Sequence, residues 1–398
     1  MSPLRLLTAG ESHGPKLTAI LEGMVAGVPI SADALDRELA RRQVSFGAGG
    51  RMRIEHDHVR ITAGVLAGQT TGAPIALEIA NLDYRAWADK DIAAMTIPRP
   101  GHADLTAAVK YGYRDLRLGL ERASARETAA RVAAGAVCKV YLAQFGIAVG
   151  SYVTAIGEVE AALDEGLPYP ERLARAEDSD LRCPDPAAAE AMRQHIRQVM
   201  QAGDTVGGVF EVVALGVPAG LGSHVHFDRR LSGRLLAALG SIPAIKGVEI
   251  GPAFANARRR GTEVHDQITC DPDGNIRWLS NRAGGLEGGI TTGEPILLRA
   301  AMKPISTTLT PLSSVDLATG NPATTRYERS DFCAVPRAAV VAEAMVAWVL
   351  ADELLTKLGG DALEEQLPRF AALRRPRLAD LPMDNRTWRF GYQTEDEP

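Results

Sequence analysis

Two histidines stand in turns that would present them to a ligand. His13 lies in Gly10-Glu11-Ser12-His13-Gly14, directly after an apolar run through Leu4, Leu6 and Leu7, and His102 lies in Arg99-Pro100-Gly101-His102-Ala103-Asp104, where a Pro-Gly turn opens a helix. An imidazole titrates near neutral pH and is the side chain most often used to give or take a proton. Glycines beside it let the backbone approach a ligand. A helix N-terminus after His102 would add unpaired N–H groups and a dipole that favours anions. Taken singly, each motif suits a structural hydrogen-bonder as well, with Asp104 as a simple cap. Two such histidines in one chain strengthen the acid–base reading of both.

Cations frame further motifs. Arg41-Arg42 precede the glycine loop Phe46-Gly47-Ala48-Gly49-Gly50-Arg51-Met52-Arg53, which can close over a charged substrate or lie as a basic surface loop. In Glu121-Arg122-Ala123-Ser124-Ala125-Arg126-Glu127-Thr128, Ser124 reads as a helix N-cap and Glu127 as the partner that completes a capping box. Arg122 and Arg126, four apart, then share one face and can clamp one anion, although Arg126 can equally pair with a glutamate. Gly284 to Gly289, Lys303 to Thr308 and Arg329-Ser330-Asp331 offer glycine backbone, an ammonium, hydroxyls and a guanidinium. That set suits the phosphate and polar ring edge of a flavin nucleotide. No GxGxxG spacing follows a strand, so a Rossmann site is not supported.

In chain order, GESHG, RPGHAD, ERASARETAARVAAGA, GDTVGG, GVPAGLGS, AIKGVEIG, NRAGGLEGG, AMKPIST and RSD resemble the successive signature blocks of the chorismate synthase family, from about residue 4 to 355. The resemblance implies an anti-1,4-elimination of phosphate and a ring hydrogen from 5-enolpyruvylshikimate 3-phosphate, with reduced FMN and no net oxidation. It implies that His13 and His102 are general acids, His13 toward the departing phosphate and His102 toward the flavin, and that Asp331 assists proton removal through the flavin N5. Ser12 and Ser124 would stand near substrate and flavin. Arg42, Arg51, Arg126 and Arg329 would hold the substrate's anionic groups. FMN would lie along Arg122, Ala123, Ser124, Ala244, Ile245, Gly288, Lys303, Pro304, Ile305, Ser306, Thr307 and Arg329. The implied fold is α+β: a β-α-β sandwich with helices between two antiparallel sheets, assembled as a homotetramer. One departure stands out, because many relatives read Gly-Arg-Gly where this chain reads Gly47-Ala48-Gly49. NADPH would therefore enter only indirectly, with reduced FMN supplied by an external flavin reductase.

The elements that must carry these residues alternate along the chain. Strands are expected near 4–8, 58–65, 74–80, 206–216 and 294–302, and helices near 33–42, 104–112, 124–145, 187–202 and 337–357. The Asp/Glu/Pro-rich stretch 158–186 is the one candidate linker, yet the patterning on both sides is alike, so residues 1–398 are expected to form a single domain with a peripheral tail after about 357. A faint echo links Gly27-Val28-Pro29 and Asp36-Arg37 with Gly216-Val217-Pro218 and Asp228-Arg229, each ahead of a helix, as an internal duplication would.

Bulk properties limit the partners. A formal net charge of -5 and a pI near 6.0 do not suit nucleic-acid binding, so anion chemistry must be local. Only seven of the 44 Lys and Arg residues are lysine, leaving 37 arginines and hence abundant bidentate recognition of carboxylate and phosphate. Cys138, Cys183, Cys270 and Cys333 are far apart and form no CxxC pair, which suits a reducing compartment, and no apolar run reaches the roughly 18 residues of a membrane span. A cytoplasmic enzyme without membrane or nucleic-acid partners is expected. Two rival readings are weaker. The loop Val217 to Ser223 resembles a small-molecule kinase loop with the wrong spacing, and the alternating pairs His56/His58 and His224/His226 could meet a metal on one strand face.

Overall fold

The computed structural model describes residues 4–47, 56–164, 166–328 and 330–387. Arg51, Arg329 and Ala48 lie outside the described residues.

The first half of the chain runs β1 (Arg5–Ala9), β2 (Lys16–Glu22), α1 (Ala32–Gln43), β3 (Val59–Ala63) and β4 (Ile75–Ala80). After it come α2 (Asp104–Tyr111), α3 (Arg117–Ala123) and the alanine-rich α4 (Thr128–Ala143). The second half runs β5 (Ala148–Ile156), β6 (Val159–Glu160), α5 (Tyr169–Glu177), α6 (Pro186–Gln201), β7 (Gly208–Leu215), α7 (Leu231–Gly240), β8 (Ile245–Ile250) and β9 (Ile296–Met302). It ends with α8 (Val335–Leu358) and α9 (Leu363–Ala371). Short two-stranded ribbons at 65–70, 268–278, 286–291 and 313–324 decorate this frame.

Both main sheets are antiparallel, with orders β1-β2-β4-β3 and β8-β9-β7-β5-β6. Alternation explains the inner face of the first: Leu17, Ala19 and Leu21 of β2 and Ile75, Leu77 and Ile79 of β4 are buried, while their neighbours face outward. Helix α4 packs on that face, α8 packs on β5 and β7, and the two helices pack on each other. Helices therefore fill the space between two antiparallel sheets, the expected sandwich. At the helix contact, a Cβ on Gly135 would lie 2.4 Å from the Ala344 Cβ, so glycine is what lets the axes approach. One hydrophobic cluster runs from Leu4 to Leu363.

The two halves share a connectivity. Leaving β6 aside, each sheet places its strands in the order first, second, fourth, third, with a helix (α1 or α7) between second and third and a long buried helix (α4 or α8) after the fourth. The Gly-Val-Pro turns of the sequence echo do precede α1 and α7. The Asp-Arg pairs are not equivalent, because Asp36-Arg37 lie inside α1 whereas Asp228-Arg229 form a short 3-10 turn before α7.

Two other expectations change. The stretch 158–186 is no linker: α5 covers the outer face of β5 and β7, and Arg172 lies over the Tyr152 ring at 5.3 Å and donates to its hydroxyl at 3.0 Å. The chain past 357 is not peripheral as far as α9, because Leu363 and Gln366 are buried and the Tyr141 hydroxyl donates to Gln366 Oε1 at 2.8 Å. Among the described residues, no helix is long and apolar enough to cross a membrane.

Candidate active site

A cavity of about 730 Å3 opens where loops from both halves meet. The β1–β2 turn brings Ser12 and His13, the segment after β4 brings Trp87, Arg99 and His102, and the α3–α4 junction brings Ala123, Ser124 and Arg126. From the second half come Ala244 and Ile245 at the start of β8, Lys303, Ile305, Ser306 and Thr307 after β9, and Asp331 ahead of α8. Arg42, at the end of α1, completes this set. The lining carries seven Lys and Arg side chains against three Asp and Glu, so the cavity is cationic in a protein that is acidic as a whole.

Each histidine is held by a carboxylate. Gly10 has φ +109°, and a Cβ there would stand 2.5 Å from the Lys16 carbonyl oxygen, so only glycine closes the turn that presents Ser12 and His13. Asn81 ties that turn from outside by donating through Nδ2 to the carbonyls of Glu11 (3.1 Å) and Gly14 (2.7 Å). Glu121 accepts from the His13 backbone N–H at 2.7 Å and meets the ring Nδ1 at 2.8 Å, while Trp87 stands 4.5 Å from the imidazole, centroid to centroid. Burial pushes the Glu121 carboxyl up, but its bonds from His13 outweigh that and hold it below the ordinary range. An ionised carboxylate can only accept, so Nδ1 carries hydrogen and Nε2 is the nitrogen left to exchange a proton with a ligand.

The second histidine repeats the device. His102 Nδ1 lies 2.6 Å from Oδ1 of the fully buried Asp104, which also receives Arg99 through Nε (2.8 Å), Nη2 (3.0 Å) and the backbone N–H (3.1 Å). Asp104 is thus an anchor and not the helix cap; Ala103 holds that place. Burial again raises its pKa, and the His102 and Arg99 bonds more than reverse this. Arg99 Nη2 also approaches His102 Nδ1 at 3.1 Å, but both are donors that share Asp104 Oδ1. Through Nη1, Arg99 donates to Thr307 Oγ1 at 3.2 Å and links the histidine to the opposite wall.

The arginines divide sharply. Arg126 donates from Nε to Asn81 Oδ1 at 2.8 Å, from Nη1 to Asp57 Oδ1 at 2.6 Å and from Nη2 to the Ala80 carbonyl at 3.3 Å. Arg42 donates to Thr128 Oγ1 at 3.1 and 3.0 Å, to the Ala125 carbonyl at 3.1 Å and to Asp57 Oδ2 at 3.5 Å. Asp57 is therefore a buried bridge between the two. Burial, and then the charge of Arg337, bring Arg42 down to about 9 against the pull of Asp57, which still leaves it charged at neutral pH.

The expected clamp of Arg122 and Arg126 does not form. Helix α3 ends at Ala123, Ser124 is extended with ψ 139°, and α4 starts afresh at Thr128, so the four-residue spacing no longer maps to one face. Arg122 turns to the carbonyls of Thr8 (2.8 Å) and Gly10 (3.3 Å). The capping box is absent too: Ser124 Oγ accepts from the Arg126 N–H at 3.3 Å, but Glu127 pairs with Arg131 at 2.8 Å.

Among the residues expected to hold FMN, Ala123, Ser124, Ala244, Ile245, Lys303, Ile305, Ser306 and Thr307 face the cavity, whereas Arg122, Pro304 and Gly288 do not line it. Gly288 sits in the tight turn of the 286–291 ribbon, whose next residue, Gly289, packs on Arg230. Ala244 takes a left-handed φ of +68°, a conformation that costs a non-glycine residue energy, and its carbonyl accepts from the Lys303 N–H at 3.0 Å. Burial first, then the nearby Lys246, lower the Lys303 ammonium below its ordinary pKa. Two lysines that close suit a phosphate monoester, so this wall fits the flavin nucleotide. Sequence reasoning passed over Trp87, Glu121, Asp57, Lys246 and Arg337. Nothing local marks them, apart from Arg337 at the start of a helix six residues past Asp331.

The rival motifs lie elsewhere. His58 pairs with Asp36 and His226 with Asp228, and among the described residues no group of three or more His, Cys, Asp and Glu is placed to hold a metal.

A cationic cavity with two carboxylate-held imidazoles belongs to enzymes that move protons on strongly anionic small molecules. Residues 4–355 match the family model described as chorismate synthase. The chorismate synthase of Symbiobacterium thermophilum is 53% identical over 381 residues, covering 92% of this chain and 97% of that protein. That of Aquifex aeolicus is 53% identical over 383 residues, covering 92% and 96%. A solved structure described as a crystal structure of chorismate synthase superposes with a TM-score of 0.76 at 47% identity, covering 92% of this chain and 96% of that one. The chain belongs to the chorismate synthase family. Its activity is the family's, that of a carbon–oxygen lyase acting on a phosphate, in the shikimate pathway.

Proposed function

We propose that the cavity binds 5-enolpyruvylshikimate 3-phosphate together with reduced FMN, and that His13, His102 and Asp331 handle the protons of the elimination. The observation that carries this reading is the convergence of these three residues, from loops distant in sequence, on one cationic cavity. The substrate has two carboxylates and a phosphate, which such a lining neutralises.

The anchors of each histidine support its assignment. The His13 turn is tied through Asn81 to Arg126, and as an imidazolium, with Nδ1–H held by Glu121, the ring gives its Nε2 proton to the oxygen of the departing phosphate. His102 is tied through Arg99 to Thr307, and a Cβ on Gly101 would be 3.4 Å from Ser306, so it stands against the flavin wall. Asp331, paired with Arg337, takes up the proton that leaves the substrate ring as the C–O bond to phosphate breaks. Reduced FMN, when bound, supplies the electron-rich ring that makes this anti elimination accessible without net oxidation. Ser306, Thr307 and Lys303 hold its polar edge and phosphate. On the family likeness we also propose a cytoplasmic homotetramer that receives reduced FMN from a separate reductase.

Anaerobic incubation of the purified protein with the substrate and dithionite-reduced FMN tests the reading. Chorismate absorbance should rise only when reduced flavin is present. Absence of chorismate, or consumption of ATP without flavin, would contradict it.

A further inference from the structure

Of the four arginines expected to hold substrate anions, the two among the described residues, Arg42 and Arg126, spend their guanidinium groups on protein acceptors: Asp57, Thr128, Asn81 and two backbone carbonyls. Arg99 is spent in the same way on Asp104 and Thr307. Arg337 is different. It projects from the first turn of α8 into the cavity, with its side chain only 13% exposed. Nε donates to the Arg42 carbonyl at 3.1 Å and Nη1 pairs with Asp331, but Nη2 meets no acceptor among the described residues. A half-used guanidinium inside a cationic cavity can take one more oxygen without giving up its present partners.

We propose that Arg337 is a substrate-anion-binding residue, whose Nη2 edge takes an oxygen of the substrate's phosphate or of its ring carboxylate while Nη1 keeps hold of Asp331. This inference rests on the function proposed above. The same side chain then fixes the distance between the proton-accepting carboxylate and one anionic end of the substrate. The fall of Arg42 toward about 9, caused second after burial by the Arg337 charge, agrees with two guanidinium groups crowded at one anion-sized gap.

Steady-state turnover of 5-enolpyruvylshikimate 3-phosphate by Arg337→Met and Arg337→Lys, together with competition by inorganic phosphate and by shikimate, tests this. The Met variant should raise KM about tenfold or more while FMN affinity holds, and the Lys variant should raise it by a smaller factor of roughly three or more, because one ammonium cannot serve both sides. The inhibition constant of whichever competitor carries the Arg337-bound group should rise about tenfold, and the other should stay within about twofold. That pattern also decides between phosphate and carboxylate. A KM and both inhibition constants within twofold of the unsubstituted protein would overturn the proposal, as would a uniform rise accompanied by weaker FMN binding, which marks a merely structural residue. Should the Met variant not fold, an unchanged KM in the Lys variant overturns it alone. Failure of the unsubstituted protein to turn over would instead contradict the proposed function.

Discussion

Each imidazole of the cavity is one half of a pair, and the other half decides what it can do. Glu121 and Asp104 fix Nδ1 as a donor and orient the ring, leaving one nitrogen for chemistry. Replacing Glu121 by Gln keeps the shape but allows the amide to present N–H or C=O, so the ring is no longer held in one tautomer. Turnover by Glu121→Gln should fall on the order of tenfold or more, and a normal rate would contradict the anchoring role. The Gly-rich turn around His13 and the Pro-Gly turn before His102 announce both rings in the sequence. Asp104, two residues from His102, was in view but read as a cap. Glu121 lies 108 residues from His13, a tertiary contact that no local pattern encodes.

Secondary structure was legible where periodicity was strong and lost where one residue broke it. Helices α1, α6 and α8 and strands β4, β7 and β9 fall close to where apolar spacing places them. The helix expected from 124 begins at Thr128, and the preceding helix α3 was not expected; the extended Ser124 between them sends Arg122 and Arg126 apart and dissolves the clamp. The contact of α4 with α8 is equally invisible locally, since Gly135 reads as one more small residue in an alanine-rich run. Gly135→Val should destabilise the protein by about 1–3 kcal/mol or more through overpacking against Ala344. Adding Ala344→Gly should return part of that loss in urea unfolding, and an unchanged midpoint in the single variant would contradict the packing.

At the scale of the whole molecule, two sheets with one connectivity flank a shared helical layer, and the cavity draws on loops from both halves. We infer that the repeated order of strands reflects an internal duplication, which the Gly-Val-Pro echo only hinted at. The layer is braced by the buried carboxylate of Glu343, with the exposed Glu177 beside it sharing two of its arginines. Glu343, fully buried, is held down in pKa by Lys139, Arg41 and Arg182 despite the penalty of burial, and Glu177, opposed by burial but bonded by Arg41 and Arg182, falls to about 2. A carboxyl whose folded pKa lies below its ordinary value binds fewer protons folded than unfolded, so it stabilises above that ordinary value. The urea midpoint should therefore be nearly level at and above about pH 5 and fall as pH drops from 4.5 toward 2, and a level midpoint across that window would contradict the bracing.

We propose that this frame serves a cavity in which an anchored imidazole supplies a proton beside flavin. The most direct test is anaerobic turnover by His102→Ala at saturating reduced FMN, with flavin affinity measured in the same preparation. The account expects affinity close to that of the unsubstituted protein and a rate lower by a factor on the order of ten or more. An undiminished rate with flavin fully bound would contradict it.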